Sequence, residues 1–276
     1  MYILFALLAA VLGICAWFVA SSSLFAWYEQ VNRQPQLMTD RFTLKRLWFA
    51  LRFMALETGC LFLTVLLHPL GWLRPWNRRV GRETTPVILL HGLFHNRACW
   101  LWLRLRLRLL GIRSLHSINL PPWKDVESLT ERVAKKVDEL RHASGVSKVH
   151  LIGHSMGGII ARNYLQIRGG AQKVDHCVLI ASPNRGSKLA ALALSPLATV
   201  LMPGSELLQR LDAAPIPPSA KVTTIYSRHD NIVLPPESAR FEETENIELT
   251  GAGHTTLLYH PQTVKILHRI LRGETP

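Results

Sequence analysis

The sequence predicts an α/β domain with a mostly parallel sheet flanked by helices, preceded by an N-terminal membrane-anchoring helical module. Three observations predict it. From about residue 84 onward, short apolar runs of β type alternate with helical stretches. Residues 2–28 carry no charged side chain. In VHLIGHSMGGIIARNYL (149–165), a serine between glycines stands where a strand pattern changes to a helical one.

The 276 residues allow one sizeable core plus an appendage. Residues 1–83 are read as the appendage and 84–276 as the α/β domain. The run YILFALLAAVLGICAWFVASSSLFAWY (2–28) exceeds the roughly 20 apolar residues that cross a bilayer. A cleaved signal peptide is the rival reading. No Lys or Arg precedes the run and it is long for a signal core, although FVASSS offers a cleavage site. Trp17, Trp27 and Tyr28 suit interfacial anchoring. A second apolar segment, 47–73, is interrupted by Arg52, Glu57 and His68-Pro69. It reads as a second span with Glu57 near an interface, or as a helix lying in the membrane surface. Arg74, Arg78, Arg79 and Arg82 follow as a juxtamembrane cluster suited to acidic lipid. With one span, the positive-inside rule places the α/β domain in the cytoplasm. With two, Arg33, Arg41, Lys45 and Arg46 in the connecting loop balance the later arginines and the rule does not decide.

The formal net charge is +13, spread along the chain. It fits a solvated basic surface or attraction to anionic head groups. No RNP, zinc-finger or helix-turn-helix signature accompanies it, so nucleic-acid binding is not expected. The four cysteines, Cys15, Cys60, Cys99 and Cys177, form no C-x-x-C pair. Buried free thiols are expected rather than a disulfide framework or zinc site.

Strands are expected at 86–90, 114–120, 148–152, 174–182, 221–226 and 246–249, with helices near 97–110, 126–143, 155–168 and 262–272. One segment carries conflicting signals. LWLRLRLRLLG (101–111) alternates with period two, as a strand would. Leucine and arginine favour helix, and a βαβ crossover needs one there. As a helix it puts Arg104 and Arg108 on one face and leaves some leucines for lipid or the N-terminal module.

Gly153-His154-Ser155-Met156-Gly157 matches G-x-S-x-G. The motif alone is a weak signal. A strand directly before it and a helix directly after it make a sharp elbow that exposes the serine Oγ. A phosphate-cradling turn would need the lysine of a P-loop or a dinucleotide spacing, and neither is present. The base must be a histidine, and there are twelve. His254 lies in a glycine-rich loop after the last strand. His154 abuts the serine but leaves the elbow in another direction. His91 is read as loop structure, while His95, His229 and His260 are weaker candidates. The acid should precede the histidine in the order Ser…Asp…His, and Asp230 follows a strand 24 residues before His254. Asp212 and Glu237 are read as surface charges. An oxyanion site needs two backbone N–H groups. Met156 supplies one and the loop HGLFHNRACW the other, at Leu93 or, alternatively, Phe94.

PVILLHG, LIGHSMGG, IYSRHDNIVLP and GAGHTTLLYHP together resemble bacterial serine lipases of the α/β-hydrolase superfamily with a minimal sheet, over about 84–276. ASPNRGSKLA is similar to a segment of such lipases. The resemblance implies an α/β-hydrolase fold, a Ser155–Asp230–His254 triad, Leu93 and Met156 as oxyanion donors, and ester hydrolysis through an acyl-enzyme. No metal or organic cofactor is implied. The chain departs from these lipases in an insert at 185–220, with an apolar helix expected at 188–202. A mobile lid and ordinary cap packing are both consistent with it. It also departs in the apparent anchor. That makes a protein of the bacterial inner membrane, acting on lipid or other esters, the expectation in place of a secreted one. A thioesterase or acyltransferase on membrane lipids or lipidated proteins would use the same residues. A non-catalytic membrane scaffold would lack a triad member. The sequence names no protein partner.

Overall fold

The computed structural model describes residues 1–38, 43–73, 85–242 and 244–275. The basic cluster Arg74, Arg78, Arg79 and Arg82, and Arg41 of the connecting loop, lie outside the described residues. Helix α1 (Tyr2–Arg33) runs past the uncharged stretch and stops at Gln34, because the residue before Pro35 is pushed out of the helical region. Helix α2 (Leu44–Leu67) starts at Thr43, whose hydroxyl accepts from the Arg46 N–H. Both are long and apolar enough to cross a membrane by length and composition. They pack as an antiparallel hairpin, with Gln34 and Leu47 bordering one groove and Phe18 and Leu61 another.

The chain then alternates as expected: β1 (Val87–Leu90), α3 (Leu101–Leu109), β2 (Leu115–Ile118), α4 (Val126–Ser144), β3 (Val149–His154), α5 (Met156–Arg162), β4 (Val174–Ile180), α6 (Pro196–Thr199), α7 (Glu206–Ala213), β5 (Lys221–Tyr226), β6 (Glu245–Glu248) and α8 (Pro261–Leu271). The six strands form one parallel sheet in the order β2-β1-β3-β4-β5-β6. Alternate side chains enter two cores. Ile88 and Leu90 join α4, α5 and α7 on one face, while Val87 and Leu89 join α3 and α8 on the other. The crossover from β1 goes to β2 on one side, while β3 lies on the other side of β1. Loops leaving the carboxyl ends of β1 and β3 therefore diverge and open a crevice, where open α/β sheets place their ligands.

Helix forms at 101–109, where propensity outweighs the alternating pattern. Leu103 and Leu107 enter the core, and Leu105 and Leu109 are exposed. Arg104 is buried with them. Its guanidinium donates to Ser117 Oγ (2.9 Å) and the Leu115 carbonyl (3.2 Å). Burial, with Arg108 and Arg97 nearby, pulls its pKa down to about 10.

The helix expected at 188–202 does not form. A 3-10 turn covers Lys188–Leu192, and α6 spans only four residues. Pro196 is the cause: it forces Ser195 into an extended conformation, from which the Ser195 hydroxyl caps the Leu197 N–H. Asp212 is exposed, as expected of a surface charge, and accepts from buried Arg162 at 3.1 Å. Arg162 also donates to the Asn184 carbonyl and lies over the Phe241 ring, so it ties α7 to α5. All four cysteines are free thiols, three of them buried.

The hairpin is docked on the α/β domain by polar contacts. Glu29 pairs with Lys188 at 2.7 Å, Thr64 with the Tyr259 hydroxyl at 2.7 Å, and the His68 carbonyl accepts from Asn96 at 2.8 Å. Arg33 pairs with Glu237, which is itself half-exposed.

Candidate active site

Ser155 sits between β3 and α5 with φ 54° and ψ −126°. A non-glycine residue at such angles stores roughly 1–3 kcal/mol, and the surrounding packing must hold it there. Two contacts do so: the Ser155 N–H donates to the Ile180 carbonyl, and Gly158 N–H donates back to the Ser155 carbonyl. Gly157 makes the elbow feasible. A Cβ there would lie 2.2 Å from the Leu90 carbonyl oxygen, so α5 can approach β1 this closely only with glycine.

Asp230 follows β5 and is almost fully buried. Its Oδ1 accepts from the N–H groups of Ile232 (2.8 Å) and Val233 (2.9 Å), which fixes the carboxylate. His254 Nδ1 lies 2.9 Å from Asp230 Oδ2 and 3.1 Å from Oδ1. With Nδ1–H donating to this carboxylate, Nε2 is left as the acceptor. Ser155, His254 and Leu93 border one cleft of about 530 Å³. Among the described residues Ser155 Oγ makes no hydrogen bond, to His254 or to any other group. The N–H groups of Leu93 and Met156 donate to no backbone carbonyl among the described residues. Phe94, the other oxyanion candidate, has φ 59° and points an exposed ring to the cleft mouth.

The model of the Alpha/beta hydrolase family matches residues 87–221. The fold is that of an α/β hydrolase. The match covers the elbow and ends before Asp230 and His254. Aspergillus fumigatus lipase B is similar over 74% of this chain and 56% of its own, with TM-score 0.63 and 21% identity. Bacillus licheniformis lipase BlEst2 in mature form is similar over 73% and 96%, with TM-score 0.57 and 20% identity. A monoacylglycerol lipase of Paleococcus ferrophilus gives 73%, 98%, 0.51 and 19%. At these identities the likeness shows the fold. Among curated proteins, the dihydrolipoyllysine-residue acetyltransferase component of an acetoin cleaving system of Pseudomonas putida is 30% identical over 128 residues. The alignment covers 43% of this chain and 32% of that one, about a third of the relative's length.

Around this α/β-hydrolase elbow the histidines divide by role. His91 Nε2 accepts from the Leu120 N–H at 2.8 Å while Nδ1 meets the Gly92 carbonyl, so the ring braces a loop as expected. His229 Nδ1 accepts from the Gly251 N–H, and His260 caps α8. His154 is nearer the site than its position in the motif suggested. Its ring is 4.7 Å from that of His254, and its Nε2 lies 3.1 Å from the His254 carbonyl. Burial, then the rings of His254 and His95, hold His154 neutral. It supports the histidine loop from below.

Two hairpin residues beyond the sequence candidates also reach the site: Ser22 of α1, through Asn231 of the loop after β5, and Glu57 of α2. Asn231 accepts from the His254 N–H at 3.2 Å and donates to Ser22 of α1 at 2.7 Å. Glu57 of α2 is buried against the residues after His254. No spacing rule links positions about 200 residues apart. The available signal was a lone acid in an apolar helix.

Burial lowers the His254 pKa, but the Asp230 carboxylate, bonded to its ring, and the charge of Glu57 outweigh that and hold it above its ordinary 6.5. A base works only when neutral. If His254 is the base, activity should rise with pH through a midpoint above about 6.5 in the kcat/KM profile, and a midpoint below that value would mean that burial outweighs the two carboxylates.

Proposed function

We propose that the chain is a membrane-associated serine hydrolase that cleaves carboxylic esters of lipids through an acyl-enzyme. The α/β-hydrolase fold and its lipase and esterase neighbours support a hydrolase. The observation that carries the finer reading is the His254–Asp230 contact at 2.9 Å, with His254 and the strained Ser155 bordering one apolar cleft and Asp230 buried behind the imidazole. In this reading His254 Nε2 takes the Ser155 proton as Oγ attacks the ester carbonyl. Asp230 keeps the imidazole in the required tautomer and stabilises the imidazolium. The N–H groups of Leu93 and Met156 hold the oxyanion. As the intermediate collapses, the imidazolium gives its proton to the departing alcohol and the acyl-enzyme remains. Water, deprotonated by the same imidazole, then releases the acid and frees Ser155. No step calls for a cofactor.

The cleft supports a lipid substrate. Trp17, Phe18 and Phe25 of α1 form one wall, and Leu189 and Leu192 of the 185–220 insert form the other. Both walls are apolar, and Leu192 and Leu194 are exposed beside the mouth. The first turns of α1 project with Tyr2, Ile3 and Phe5 exposed, a surface suited to a bilayer. The insert would act as the cap over the acyl chain.

The test is hydrolysis of an ester series from short to long acyl chains by full-length protein in detergent. Turnover should increase with chain length until the cleft is filled. Turnover confined to short chains would replace lipase with esterase or thioesterase. A second reading, transfer of the acyl group to an acceptor other than water, draws on the name of the Pseudomonas putida relative and on the apolar walls of the cleft. Adding a long-chain alcohol separates the two: hydrolysis gives free acid alone, transfer gives a new ester.

A further inference from the structure

Glu57 is a buried carboxylate of the apolar hairpin whose hydrogen bonds, among the described residues, all go to the α/β domain. The side chain is 1% exposed. Oε1 accepts from the Thr255 N–H at 2.6 Å. Oε2 accepts from the Thr256 N–H at 2.9 Å and from Thr256 Oγ1 at 2.5 Å. These three donors belong to the two residues that follow His254. Charge-assisted bonds of this kind are about twice as strong as neutral ones, and more so away from water.

Local geometry is built around the contact. Gly253 precedes His254, and a Cβ on it would lie 2.4 Å from Glu57 Oε2 and 3.0 Å from Asn231 Oδ1. Only glycine lets both acceptors close on the loop. The loop is thus held at consecutive N–H groups: residue 254 by Asn231, residues 255 and 256 by Glu57. The His154 ring takes up the carbonyl of residue 254. Asp230 orients the imidazole, but its contacts with the histidine loop are to the ring alone. The backbone that sets the ring's position is held largely by α2.

We infer that Glu57 is a positioning residue of the active site, a carboxylate supplied by the apolar hairpin to hold the loop bearing His254 within reach of Ser155. The inference rests on the Ser155–Asp230–His254 reading. It makes the hairpin a component of the site as well as an anchor. The titratable groups facing His254 are Asp230 from the loop after β5, Glu57 from α2, His154 at the end of β3 and His95 from the loop after β1.

The test measures the rate at which a fluorophosphonate labels Ser155 in full-length protein in micelles, from pH 5 to 9. This rate depends on the base and needs no natural substrate. Glu57→Gln should slow labelling by about tenfold to a hundredfold, as expected when a base is slightly misplaced. It should also move the midpoint to lower pH, because the charge that favours the imidazolium is gone. On a short-chain ester kcat should fall with KM nearly unchanged. Thr256→Val removes the hydroxyl bond and keeps the charge, so it should slow labelling less and leave the midpoint in place. A Glu57→Gln rate and midpoint equal to wild type would overturn the inference, leaving Glu57 a packing residue. If Glu57→Gln does not fold, Thr256→Val decides: an unchanged labelling rate overturns the inference, a slower one upholds it. Wild-type protein that is not labelled at Ser155 would remove the enzyme reading itself, and this inference with it.

Discussion

Ser155→Ala is expected to lower kcat by at least about four orders of magnitude while leaving the fold intact. Both halves follow from the structure. The alanine keeps the backbone that the elbow imposes, since Ser and Ala share the same Cβ constraint at φ 54°. Ser155 Oγ makes no hydrogen bond among the described residues, so its removal leaves no buried partner unsatisfied. A stability change within about 0.5 kcal/mol is expected, a shift of about 2 °C or less for a domain of this size. The catalytic loss is large because the remaining donors and binding surface can polarise an ester but cannot form the acyl-enzyme. Turnover of the ester series and a thermal melt on the same preparation check both. Residual activity above a few per cent would mean that another group attacks.

A chain beginning at Leu24, as if cleaved after FVASSS, is expected to lose long-chain turnover selectively. Such a cut removes Trp17, Phe18, Ser21 and Ser22, all of which border the cleft. If about four methylenes of an acyl chain lie against that wall, each contributes about 0.8 kcal/mol of transfer free energy. Their loss is worth about two orders of magnitude in kcat/KM for long esters, with short ones much less affected. Asn231 also loses its Ser22 partner, so a smaller decrease in kcat should appear on every substrate. The comparison is kcat/KM for short and long esters with both forms. An unchanged long-chain profile would mean that the first half of α1 is a leader with no part in binding.

Much of the fold was legible because it rests on local patterns. The β-type runs at 86–90 and 148–152 form central strands, and the G-x-S-x-G motif between strand and helix forms the elbow expected of it. Asp230 and His254 could be paired from chain order because each follows a strand at the same sheet edge, and the structure brings their side chains into contact. The helix at 188–202 was misread because composition suggested one apolar segment, while Pro196 set the local conformation. The sequence turns the His154 side chain away from Ser155 but does not say what it meets there. A residue at the end of β3 in fact points beneath the loop after β6. Glu57 and Ser22 were illegible for a different reason. An apolar helix is usually explained by lipid, so its few polar positions looked like interruptions. They are the points at which the helix is matched to the domain.

The Glu57 contact also sets an order of events during synthesis. Its first backbone donor, Thr255, is 198 positions further along the chain. At about 5–20 residues per second, a ribosome needs about 10 to 40 seconds to supply it. Until then the backbone donors that Glu57 uses do not exist, so the docking of α2 on the loop bearing His254 can only follow synthesis of β6 and that loop.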